Sequence, residues 1–312
     1  MKAVFFREVR RLGYLRAICD LMAKEKSAEI YLASKKFLNI SQELNKKLSD
    51  YKRKTGKINK ISVAKNHFLV ASALGLVKVE GDFVKTTSYA AFFASLPKNI
   101  NPFNLSLQEK FSFFELLLTE QFNALRHLMG ALETRRYVTF NDLRKKLKPI
   151  FKFSRIDHLV KSHVEWLIDL DLVIPSAPTK GKFCLTFKGE KIKDHMSVEK
   201  ERLNEAFINL KKIYAESIIG PVSVRNKINE TVLLKCFEKA ISATKLYAVS
   251  EVSDKLLSAF PVIKFLQLEL LLNFKTLIKF EELISIMEDV LKKRGILFNW
   301  DPIYKGGYIR YE

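Results

Sequence analysis

One phrase occurs three times in this chain and limits what the chain can fold into. Each time, an amphipathic helical stretch runs into a short apolar run, a charged or Gly-bearing turn, and a second short strand. The first copy runs from Ser62 through Ala73-Leu-Gly-Leu-Val77 to Val79, turns at Glu80-Gly81-Asp82, and returns over Phe83 to Thr87. The second runs from His158 to Ile174, turns between Pro175 and Gly181, and returns over Lys182 to Thr186. The third runs from Phe280 to Arg294, continues over Gly295 to Trp300, turns between Asp301 and Gly306, and returns over Gly307 to Tyr311. Apolar residues at helical spacing, followed by paired runs of β-type residues around Gly, predict a helix and then a hairpin. The copies share pattern more than residues, so they predict recurring modules and not a tight solenoid.

Helical periodicity fills most of the remaining chain. Glu8 to Ala23 places Val9, Leu12, Leu15, Ile18, Leu21 and Met22 on one face. Glu25 to Lys36 and Ser41 to Tyr51 predict two further helices, with Asn39 or Ser41 as the cap of the latter. Ser88 to Leu96 predicts a short helix after the first hairpin, and Pro97 to Pro102 a linker. Ser106 and Glu109 form a capping-box signature ahead of the apolar stretch Lys110 to Leu118, and Glu120 to Leu132 predicts its partner helix. Thr139 and Asp142 repeat the signature, and Lys148-Pro149 ends the helix they open. Val198 to Ser217 predicts a long helix that leads to Gly220-Pro221. Asn229 to Ser242, Glu251 to Ala259 and Phe260 to Phe274 predict more helices, and Glu281 to Lys293 the last, stopped at Arg294-Gly295. The fold expected is mostly α with small β-hairpins, divided at 1–100, 101–220 and 221–312.

The helix-then-hairpin phrase resembles the winged helix-turn-helix superfamily as a class. There, a helix closes on a leucine-glycine-leucine-valine type phrase, and the second hairpin strand carries an apolar-x-x-Thr element. Ala73-Leu-Gly-Leu-Val77 with Phe83-Val-Lys-Thr86 matches it. Leu170-Asp-Leu-Val173 with Phe183-Cys-Leu-Thr186 matches better, and Arg294-Gly-Ile-Leu297 with Gly307-Tyr-Ile-Arg310 matches in outline. The resemblance covers about half to two thirds of the chain. It implies tandem winged-helix modules joined by helical connectors, and a role in holding nucleic acid or a partner protein.

Charge points the same way. The net charge is +20 over 312 residues. Residues 1–60 carry sixteen Lys/Arg against six Asp/Glu, and residues 131–200 carry fifteen against nine. Residues 61–130 carry six against five, and 201–312 seventeen against fourteen. The excess therefore lies in two blocks, each beside a recognition-type helix, and basic blocks attract polyanions through counterion release. A helix of about 14 residues is roughly 21 Å long, fit for a major groove, with a hairpin against the adjacent backbone. In the first module Lys52, Arg53, Lys54, Lys57, Lys60, Lys65 and Asn66 are the expected contacts. In the second they are Arg144, Lys145, Lys146, Lys148, Lys152, Arg155, Lys161 and Ser162, with Lys180 and Lys182 on the wing. The third module's helix carries Glu281, Glu282, Glu288 and Asp289, so residues 221–312 are expected to pack or to bind a protein partner, with Trp300 and Tyr304 as anchors.

Little in the sequence favours chemistry. Thr55-Gly56-Lys57 lacks the upstream glycine and preceding strand of a phosphate loop. No Glu-x-Lys element of the metal-dependent nuclease type is present. His158 and His163 are five apart on one helix, off the spacing that aims two ligands at one metal. His67 is placed either at a base edge or phosphate, or half-buried. Cys19, Cys184 and Cys236 are isolated and read as small core residues of a reducing compartment. No cofactor, metal, membrane span or small-molecule substrate is expected, and the expected location is cytoplasmic. The function expected is a double-stranded DNA binder, acting as a transcription regulator or as the DNA-recognition subunit of a replication, partition or defence complex. The alternatives are a protein-interaction scaffold or RNA-contacting subunit and, more remotely, an enzyme with a non-standard site.

Overall fold

A computed structural model of the chain describes residues 9–47, 58–101, 103–134, 136–151, 156–176, 181–196, 203–224, 228–248, 255–302 and 306–310. Within these residues the protein is mostly helical, with small sheets. One order of elements recurs: helix, short strand, helix, helix, hairpin. The first set is α1 (Leu12–Glu25), β1 (Ser27–Glu29), α2 (Ile30–Lys47), α3 (Ile61–Ala73), β2 (Val77–Glu80) and β3 (Phe83–Thr86). After α4 (Ser88–Ser95) comes the second set: α5 (Leu107–Ala131), β4 (Val138–Thr139), α6 (Phe140–Leu147), α7 (Ile156–Asp169), β5 (Val173–Pro175) and β6 (Lys182–Leu185). Three elements follow: α8 (Phe187–Asp194), α9 (Leu203–Ile219) and β7 (Ser223–Val224). The third set is α10 (Glu230–Ala248), β8 (Leu256–Ser258), α11 (Ala259–Phe274), α12 (Phe280–Lys293), β10 (Phe298–Asp301) and β11 (Gly306–Arg310). Between α11 and α12, β9 (Thr276–Leu277) pairs in parallel with β7.

The three sheets share one topology. Each has its last strand in the centre, in the orders β1-β3-β2, β4-β6-β5 and β8-β11-β10, and all these pairings are antiparallel. The registers align as well: Ala28 faces Val84, Val138 faces Phe183 and Leu257 faces Ile309. The turn from helix to hairpin is also repeated bond for bond. Leu76 N–H donates to the Ala71 carbonyl (2.9 Å), Leu172 N–H to Leu167 (2.8 Å) and Ile296 N–H to Leu291 (3.0 Å). At each turn one residue takes a left-handed conformation, Gly75 at φ 72°, Asp171 at 58° and Gly295 at 73°. Glycine adopts that conformation without steric cost, and Asp is among the few side chains that tolerate it. Thr87 and Thr186 then cap α4 and α8, accepting from Ala90 N–H (3.2 Å) and Gly189 N–H (2.9 Å).

Several expectations need correction. The two helices expected over Glu25–Lys36 and Ser41–Tyr51 are a strand and one continuous helix. Ser41 does not cap: it is buried inside α2 and its hydroxyl donates to the Leu38 carbonyl at 2.7 Å. The segment expected to be helical before Phe260 carries β8. Each hairpin thus gains a third strand of two or three residues, too short for alternation to declare itself. The two connector helices expected around Thr119 are merged in α5, with one non-helical residue at Gln121 (φ −131°, ψ 17°). Both capping boxes form: Glu109 accepts from Ser106 N–H at 2.7 Å and Asp142 from Thr139 N–H at 3.0 Å.

The connector α5 packs against α6, α7, α8 and α9. It buries Phe111, Phe113, Phe114 and Leu116 to Leu118. Tyr214 of α9 stacks on Phe114 with ring centres 4.1 Å apart, and its hydroxyl donates to the Leu170 carbonyl. Fully burying side chains of this size contributes about 1.5–3 kcal/mol each. Buried ionic contacts tie the modules together, Arg16 of α1 to Glu109 of α5 at 3.3 Å among them. Arg11 forms a two-oxygen pair with Asp169 (2.8 and 3.1 Å), which also accepts from Leu12 N–H (3.0 Å). Glu115 of α5 binds Lys211 of α9 (2.5 Å) and Lys264 of α11 (2.9 Å).

Candidate nucleic-acid interface

The first module's described candidates gather at the start of α3. Lys60 holds the N-cap position in an extended conformation and is exposed, as is Lys65 one turn further on. Asn66 is half-buried, and its side-chain oxygen is buried with no hydrogen-bond donor. Lys52, Arg53, Lys54 and Lys57 lie outside the described residues. The outward face of α3 adds Ser62, with Leu69 and Ser72 half-covered, so Lys65 is its one exposed cation. His67 is not at that face. It is 3% exposed, edge-on to Tyr14 at 5.5 Å and beside Phe37 at 5.6 Å. On the β2–β3 hairpin, hydrogen bonds first from Lys78 and then from Lys85 pull the Glu80 carboxyl down to about 2, so these two cations are already paired.

In the second module the described candidates divide between two helices, Arg144, Lys145 and Lys146 on α6 and Lys161 on α7. The whole of α7 has no exposed residue: Asp157, His158, Lys161, Glu165 and Ile168 are half-buried and the rest buried. The segment before α1 closes over it, Val9 N–H donating to Ser162 Oγ (3.1 Å) and Arg11 pairing with Asp169. The side of α7 that carries Ser162 and Asp169 is therefore covered, and Lys161 lies half-buried on the other side with Asp157 and Glu165. Helix α6 is the opposite case. It buries Leu143 and Leu147 and exposes Arg144, Lys145 and Lys146, with Lys148 exposed in the turn that follows. Lys182 is exposed on β6, paired with Thr139, the N-cap of α6, so it stands at the same end. Arg144 reaches Asp157 (3.6 Å), and Lys146 reaches Glu133 (3.5 Å) and the Ala131 carbonyl (3.1 Å). Lys145, Lys148 and Lys182 have no carboxylate within ion-pair distance among the described residues. Lys152, Arg155 and Lys180 lie outside the described residues.

Other cations, without a distinctive sequence signal, lie near this surface. Arg136 is exposed just ahead of β4, and Lys193 of α8 donates to the Leu132 carbonyl (2.9 Å), beside the carbonyl that Lys146 binds. Two ammonium groups thus complement the negative end of α5. The third module offers α12, whose exposed residues are Glu281, Ser285, Glu288, Asp289, Lys292 and Lys293. Trp300 packs edge-on against Phe280 at 5.5 Å, and Tyr304 lies outside the described residues.

Among the described residues no three His, Cys, Asp or Glu side chains are grouped to hold a metal, and no helix is long and apolar enough to cross a membrane. All three cysteines are buried and unpaired, and burial pushes the Cys19 thiol well up. Comparison with protein-family models, with curated proteins and with solved structures finds no significant match in any of the three.

Proposed function

We propose that the protein binds double-stranded DNA, using tandem winged-helix modules whose basic surfaces contact the sugar–phosphate backbone. The observation that carries this reading is a set of exposed lysines on the first two modules with no carboxylate within ion-pair distance among the described residues: Lys60 and Lys65 on one, Lys145, Lys148 and Lys182 on the other. Exposed cations left unpaired and near one another repel, and a polyanion relieves that repulsion. The threefold strand–helix–helix–hairpin order, with the last strand central each time, supports the winged-helix assignment. The exposed Lys145 of α6, against the half-buried Lys161 of α7 between Asp157 and Glu165, argues that the second module grips through α6 and not through its third helix. The acidic α12 argues for a third module that docks a protein partner or a second copy.

A mobility shift with a random-sequence duplex tests the reading. Binding should be firm at low salt and fall steeply as salt rises, because each neutralised phosphate releases counterions. Charge reversal at Lys60 and Lys65, or at Lys145 and Lys148, should weaken it with the helical content unchanged. Binding that ignores salt and survives both reversals would leave a protein-interaction scaffold as the better reading.

A further inference from the structure

The threefold register supplies a comparison that no single module does. Counting seven residues on from the strand positions Ala28, Val138 and Leu257, which face Val84, Phe183 and Ile309, reaches Lys35 of α2, Lys145 of α6 and Lys264 of α11. A lysine therefore recurs at one structural position in all three modules. Two residues further, Phe37, Leu147 and Leu266 are all buried, so the helices are in phase and the lysines point from equivalent faces.

The neighbouring position shows what is already engaged. Lys36 pairs with Glu25 (2.8 Å) and Lys146 with Glu133 (3.5 Å), each carboxylate lying just ahead of its module's first strand. Lys36 and Lys146 are thus equivalent to each other, and each is matched by a carboxylate from within its own module. The position one residue earlier differs among the modules. In the third, Lys264 is 6% exposed and grips Glu115 at 2.9 Å, with Gln267 Oε1 at 3.2 Å and the Phe280 ring 4.7 Å away. There the position is an anion contact, satisfied inside the molecule. In the first two, Lys35 and Lys145 are exposed and have no carboxylate within ion-pair distance among the described residues.

We infer that Lys35 and Lys145 are a matched pair of backbone-phosphate contacts, one per module. The duplex would be held by the second helix of each of the first two modules, without base readout by the third. The third module is excluded from this role because its equivalent lysine is consumed by Glu115. The inference rests on the duplex-binding reading above and specifies how that binding is made. It adds Lys35 to the interface and withdraws weight from Lys146 and Lys161. Contacts to phosphate alone carry no sequence information, so unrelated duplexes should bind alike.

The test uses the full chain and two labelled 30-base-pair duplexes of unrelated sequence, with affinity measured by fluorescence anisotropy across a salt series. The variants are Lys35→Gln, Lys145→Gln, their combination, and Lys36→Gln as the paired neighbour. Losing one phosphate contact should flatten the slope of log affinity against log salt by about 0.9, which at roughly 0.15 M salt is about fivefold in affinity. The expected result is that loss for each of Lys35→Gln and Lys145→Gln, about twice that for the pair, none for Lys36→Gln, and the same on both duplexes. If the wild type binds with a steep slope that the double variant leaves unchanged, or strongly prefers one duplex, the inference is overturned while duplex binding stands. If polyglutamate competes as well as DNA at equal charge, the surface takes acidic protein and the inference is likewise overturned. If the wild type binds neither duplex, the functional reading falls and takes the inference with it.

Discussion

Acidification from pH 7 to pH 5 should cost this protein about 4 kcal/mol of folding stability through two histidines alone. His67 of α3 and His163 of α7 occupy equivalent places in the first two modules, eight residues before Gly75 and Asp171. They are 3% and 0% exposed. In each, Nδ1 is bonded to the carbonyl four residues back, Val63 at 2.8 Å and Leu159 at 2.9 Å. Burial drives both from the usual 6.5 down to about 4. The neutral ring is the folded form, so the stabilising difference is complete above pH 6.5 and is lost as pH falls towards 4. At pH 5 the unfolded chain gains protons at both sites and the folded chain at almost none, which amounts to roughly 2 kcal/mol per histidine. Depressed carboxylates such as Glu115, pulled to about 2 against the burial that raises it, begin to contribute only below about pH 4.5. The buried Glu109, raised by desolvation, works in the opposite sense and is common to every variant. Urea unfolding at pH 7 and pH 5 should show the loss in the wild type. It should be mostly absent in a His67→Phe, His163→Phe double variant, and about halved in either single variant. A wild type equally stable at both pH values, or a double variant with undiminished pH dependence, would refute the assignment of these rings as buried and neutral.

Three further outcomes follow from the packing. Asp169→Ala strands the buried Arg11 guanidinium, and the loss of one partner of such a pair should destabilise by about 3–5 kcal/mol in denaturant unfolding. Glu115→Gln leaves Lys211 and Lys264 facing each other without their carboxylate; we expect a similar loss, read as a lowered unfolding midpoint. Gly189→Ala would place a Cβ 2.1 Å from the Leu172 carbonyl oxygen at the start of α8. Relieving that overlap should cost about 1–3 kcal/mol, measured by thermal unfolding.

What was legible in the sequence was whatever carries long periodicity or a distinctive end signal. The stretch Ile61–Ala73, the capping boxes at Ser106 and Thr139, and the stop at Gly295 are local statements, made by residues within a turn of one another. The strands β1, β4 and β8 were hidden because two or three residues cannot display alternation, and their identity is conferred by β3, β6 and β11 across the sheet. Ser41 looked like a cap because its type favours helix starts, yet tertiary packing carried α2 through it. The exposed basic surface of the proposed interface was half legible. The basic blocks were visible as composition, and Arg144, Lys145, Lys146 and Lys148 do stand outward. The covering of α7 was not visible, since it depends on Val9 and Arg11 meeting Ser162 and Asp169, more than 150 residues away. Lys35 was invisible for a related reason, because its equivalence to Lys145 and Lys264 exists only in the register of three separate sheets.

The measurement that bears most directly on the account is the salt dependence of equilibrium binding between the wild-type chain and a random-sequence duplex. With Lys35, Lys60, Lys65, Lys145, Lys148 and Lys182 each neutralising one phosphate, log affinity should fall against log salt with a slope of about −5. A slope near zero, or no detectable complex at about 50 mM salt, would contradict the claim that these surfaces exist to hold the DNA backbone.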